Sequence, residues 1–91
     1  MHDLAAEITK AINASPDLNR RQKRRCRILM RHPLLCELVC HQVEEELLAS
    51  GDITDLNRWD PEAWDWDAVL DRLMVLVDFI FKLILALIQV L

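Results

Sequence analysis

The stretch that decides the reading is Ala68-Val-Leu-Asp-Arg-Leu-Met-Val-Leu-Val-Asp-Phe-Ile-Phe-Lys-Leu-Ile-Leu-Ala-Leu-Ile-Gln-Val-Leu91. It is apolar almost all the way round a helix. Asp71, Asp78, Lys82 and Gln89 follow one another at steps of seven, four and seven residues. At ~100° per residue those steps return to nearly the same azimuth, so the four form one narrow polar stripe. A helix of this kind must bury most of its circumference. The covering material is sister chains, the rest of the chain, or lipid.

Working outward, 91 residues suit one small domain, and 53% of them are hydrophobic, with the excess in the last third. A chain this small has little material to cover a long apolar helix. One glycine and three prolines leave few tight turns, and no stretch alternates with a period of two. The expectation is an all-α protein of about four helices, with self-association of the last one. Residues 1–51 form an N-terminal helical region, 52–65 an acidic, tryptophan-containing linker, and 66–91 the hydrophobic C-terminal helix.

The N-terminal region divides into three helices. Leu4, Ile8, Ala11 and Ile12 set one from about Asp3 to Ala14. Ser15-Pro16 then suits an N-cap and first turn, which predicts a second helix from about Pro16 to Arg31. His32-Pro33 is either a kink or a boundary. A third helix runs from about Pro33 to Ala49, with Leu35, Val39, Val43 and Leu47 on one face and Leu34, Leu38 and Leu48 widening it. Gly51 suits its C-cap. Asp60-Pro61-Glu62 reads as a cap and one short helical turn, and Asp65 or Asp67 as the cap of the last helix.

The net charge of −4 hides an asymmetry. Seven of eleven basic residues lie between Arg20 and Arg31, and ten of fifteen acidic residues between Glu37 and Asp67. Arg20, Arg21, Lys23, Arg24, Arg25, Arg27 and Arg31 are the candidate contacts to an anionic partner. Arg20, Arg24, Arg27 and Arg31 form a row at helical spacing. Phosphate binding needs such cations, but no aromatic residue is interleaved for base stacking, so any nucleic-acid binding is non-specific. The plainer reading is a solvated face, or one paired with Glu44-Glu45-Glu46.

Three cysteines cannot all pair within one chain, and residues 1–7 lack a charged n-region with an apolar h-region behind it. Both features predict an intracellular setting, or the interior of a particle. His32, Cys36 and Cys40 stand at i, i+4 and i+8, but one helix rarely brings three such residues to one metal, so neither metal nor cofactor is expected. The carboxylates Asp60, Glu62, Asp65 and Asp67 lack the spacing of a calcium loop. No nucleophile elbow, phosphate loop, dinucleotide fingerprint or metalloprotease motif occurs, so no enzyme and no small-molecule substrate is expected.

The functional expectation is a structural protein that self-assembles, or docks into a larger complex such as a viral or phage particle, through its last helix. Leu73, Leu76, Phe79, Ile80, Leu83, Leu87 and Val90 are the candidate interface. Trp59, Trp64 and Trp66 are candidate interface anchors. The first alternative is a tail-anchored membrane protein, since Leu73 to Leu91 would cover roughly 28 Å. Asp78 and Lys82 near mid-span make that insertion energetically marginal. The second alternative is a nucleic-acid binder using the arginine-rich helix.

Overall fold

In the computed structural model the chain is all-helical, and residues 3–50 and 60–90 are described. Among them are α1 (Leu4–Ala14), α2 (Arg20–Arg31), α3 (Pro33–Ser50), a 3-10 turn (Pro61–Ala63) and α4 (Trp66–Val90). Strands are absent from the described residues.

Each helix begins where a side chain can satisfy free backbone donors. Asp3 accepts from the Ala6 amide at 3.1 Å and starts α1. The second helix starts at Arg20, four residues later than Ser15-Pro16 suggests. Asn19 accepts from the Gln22 amide and Gln22 accepts from the Asn19 amide, both at 2.9 Å. This reciprocal box satisfies two donors at once, an arrangement Ser15 does not make. Ser15 instead ends α1, buried, with its amide donating to the Ile12 carbonyl.

His32 is extended, so His32-Pro33 is a boundary between two helices rather than a kink. Its Nδ1 accepts from the Leu35 amide at 3.4 Å, which caps α3. Asp65 accepts from the Ala68 amide at 3.2 Å at the start of α4. The expected cap at Gly51 lies outside the described residues.

One core holds the helices together. It joins Ile8 and Ile12 of α1, Cys26 and Leu29 of α2, and Val39, Val43 and Leu47 of α3. Trp64 and one face of α4 complete it: Val69, Leu70, Leu73, Met74, Val77 and Ile80. Each large aliphatic residue fully withdrawn from water contributes about 1.5–3 kcal/mol. Leu34, Leu38 and Leu48, expected to widen the buried face of α3, stay exposed. They lie on the far side of the helix from the buried Val39, Val43 and Leu47.

The glutamates of α3 also find partners other than α2. Glu46 pairs with Arg72 of α4 at 3.2 Å, and Glu45 with His41 one turn earlier on its own helix at 3.1 Å. The Glu46–Arg72 contact and a groove lined by Ala49, Ser50, Ala68 and Val69 put the end of α3 beside the start of α4. The two helices therefore run antiparallel. At 1.5 Å per residue, the 25 residues of α4 exceed the 18 of α3 by about 10 Å. That excess projects beyond the bundle.

Candidate functional site

Two surfaces result, the projecting end of α4 and the outer face of α2. On α4 a single seam links them to the core. Trp66, Leu70, Leu73, Val77, Ile80, Ile84 and Leu87 follow at alternating steps of four and three, the spacing of helices that pack along their length. Leu70, Leu73, Val77 and Ile80 are buried, the last at 7% exposure. Past Ile80 the seam opens: Ile84 is 36% exposed and Leu87 62%. Every residue from Lys82 to Val90 is exposed, whichever way it faces.

The expected interface residues therefore separate into groups. Leu73 and Ile80 are enclosed by helices of their own chain, and Leu76 is half-buried. Phe79, Leu83, Leu87 and Val90 remain exposed, and Val75, Ile84, Leu85 and Ile88, which the sequence reading did not single out, join them. Continuing the seam past the core would have found Ile84. The stripe of Asp71, Asp78, Lys82 and Gln89 is exposed along its whole length.

At the point where α4 leaves the bundle, Arg25 of α2 closes the junction. Its guanidinium lies 3.5 Å from Asp78 and 5.0 Å from the centre of the Phe81 ring. Asp78 thus pairs with α2. Contacts of this kind are weak at an exposed carboxylate and stronger over an aromatic face.

The other cations of α2 divide by azimuth. Lys23 donates to the Asn13 carbonyl at 3.0 Å. Arg20, Arg21, Arg24 and Arg27 line a shallow concavity of about 510 Å³ on the side away from the core, and Arg31 is exposed.

Trp64 and Trp66 pack against the core. Trp64 is buried, and Trp66 is half-buried with its indole donating to the Pro61 carbonyl at 2.7 Å. Their ring centres are 5.6 Å apart, tilted by 51°. Trp59 lies outside the described residues.

Burial pushes the Cys26 thiol up to about 11, and burial together with neighbouring Cys36 does the same for Cys40. Thiols held protonated this way are poor nucleophiles and poor metal ligands. No cluster of three or more His, Cys, Asp or Glu side chains suited to a metal occurs among the described residues. A groove of about 410 Å³ lies between the end of α1 and the start of α4, lined among others by Glu7, Lys10, Ser15, Glu62, Trp66 and Asp67.

Fold and surfaces together define a small all-α protein with one apolar helix extending beyond its own core. Compared with known proteins, the chain matches no family model, no curated protein and no solved structure.

Proposed function

We propose that the chain is a non-enzymatic structural protein that self-assembles, its copies joined through the projecting ends of α4, as a homo-oligomer or as a subunit of a larger assembly. One observation carries this reading: the packing seam of α4 runs on past Ile80 with no helix among the described residues to fill it. A second copy supplies a helix of matching spacing. Because Leu83, Leu85, Leu87, Ile88 and Val90 are exposed on several sides, more than one neighbouring helix is needed to cover them. Asp78, Lys82 and Gln89 then mark the side left to solvent.

Light scattering behind a sizing column, without detergent, tests the proposal. The intact chain is expected as a discrete multimer. Leu87→Asp should give a smaller species with unchanged helical content, because Leu87 takes no part in the core. A monomeric intact chain defeats the proposal.

A second reading, a membrane anchor, draws on one observation: α4 is long and apolar enough to cross a bilayer. Only Lys82 to Val90 projects, however, about 13 Å against a hydrocarbon thickness of about 30 Å. A full span would have to withdraw Leu73, Val77 and Ile80 from the core. Recovery of the chain only in detergent would favour this reading over self-assembly.

A further inference from the structure

The outer face of α2 gathers five exposed arginines. Arg20, Arg21, Arg24, Arg27 and Arg31 are exposed, and none has a carboxylate partner among the described residues. The helix has no acidic residue in its first turn, so Arg20 and Arg21 stand at the positive end of its dipole. Arg20–Arg24, Arg24–Arg27 and Arg27–Arg31 are like charges at the spacings where helical neighbours meet, an arrangement that weakens a helix. Cys26 and Leu29 on the opposite side are locked into the core, so the row stays turned outward. Of the α3 glutamates, Glu45 lies against His41 and Glu46 pairs with Arg72.

We propose that this face binds the phosphate backbone of double-stranded nucleic acid without reading its sequence. From Arg20 to Arg31 the row extends about 16 Å along the helix. Over that distance a duplex presents on the order of ten backbone charges. Guanidinium groups bind phosphate oxygens in pairs, which suits a row built of arginine rather than lysine. No aromatic side chain lies on the row to stack an unpaired base. Asn19 and Gln22, the side-chain amides here that could read an adenine edge, are tied to each other's backbone. An anionic lipid surface offers phosphate too, but a helix that lies on lipid embeds an apolar face. The apolar face of α2 is turned into the core, and Ile28 is its one large apolar residue left exposed. The binding face is separate from the projecting end of α4, so the proposal stands whether or not the copies self-assemble.

Fluorescence anisotropy of a short mixed-sequence duplex with the intact protein tests it. Five phosphate contacts predict an affinity that falls by about 10²–10³-fold between 50 and 200 mM salt. The triple variant Arg20→Gln, Arg24→Gln, Arg27→Gln should bind at least tenfold more weakly and lose about three units of salt slope. It should remain helical by circular dichroism, since it removes like-charge repulsion. Lys10→Gln, which removes one cation from α1, should bind as the parent does. A second duplex of scrambled sequence should bind equally. A flat salt response, an unaffected triple variant or a strong preference between the two duplexes overturns the proposal. So does capture by phosphatidylserine vesicles at a salt concentration where the duplex is not bound.

Discussion

The two halves of α4 have nearly the same chemistry and different surroundings. From Val69 to Ile80 its apolar face is covered by α1, α2, α3 and Trp64. From Lys82 to Val90 an equally apolar sequence is exposed. The difference is one of reach. α3 lies antiparallel to α4 and is seven residues shorter, 18 against 25, and α2 crosses only as far as Asp78 and Phe81. Identical periodicity therefore yields a core in one half and an unfilled seam in the other.

That contrast can be broken most forcefully from the buried side. Leu73→Ala should cost about 2–5 kcal/mol of stability, measured by urea unfolding, because it leaves a cavity among packed helices. A loss below about 1 kcal/mol would mean that this half is not held as described. Leu87→Asp makes the complementary substitution in the open half, where the unfolding midpoint of the separated chain should stay put while the mass in solution falls. Deleting residues 83–91 sharpens the same point: the remaining chain should stay folded and monomeric, and its collapse would show that the projecting end supports the core.

At the junction, a smaller effect is expected. Arg25→Ala removes an exposed ion pair and a cation held over Phe81, and should cost about 0.5–2 kcal/mol in the same unfolding measurement. The smallest effect concerns pH. In the fold Cys26 holds its proton up to about 11, above its ordinary value of 9.0, because burial disfavours the thiolate. The unfolded chain releases that proton first. This contribution to stability is complete below about pH 9 and declines as pH rises towards 11. Cys26→Ala should be less stable at neutral pH but should lose less of its stability across that alkaline range. Equal alkaline losses in parent and variant would exclude the thiol as the cause.

Much of the architecture was legible in the residues. The apolar spacing of Leu4, Ile8 and Ile12, the stop at Ser15-Pro16 and the proline at 33 mark local events that a few neighbouring side chains decide. The start of α2 was misplaced because two capping signals compete within five residues, and the Asn19–Gln22 box satisfies more backbone donors than Ser15 could. The arginine row was equally visible, since helical spacing alone puts Arg20, Arg24 and Arg27 on one side. Its separation from Arg25 and Lys23 was not visible, because it depends on where Asp78, Phe81 and the Asn13 carbonyl lie. The burial of Trp64 was not visible for a similar reason: an indole near a helix start looks the same in sequence whether it faces a partner or the core.

By itself, then, the sequence determined an all-α chain, its helix boundaries within a few residues, a cationic face on the second helix and a last helix too apolar to stand alone in water. These are properties of local spacing and composition. The tertiary structure decided which part of that last helix is core and which is surface, that Leu73 and Ile80 belong to the chain's own interior, and that Glu46 meets Arg72 rather than an arginine of α2. Those outcomes depend on the relative lengths and directions of helices far apart in the chain, and periodicity along one helix carries no information about where its neighbours end.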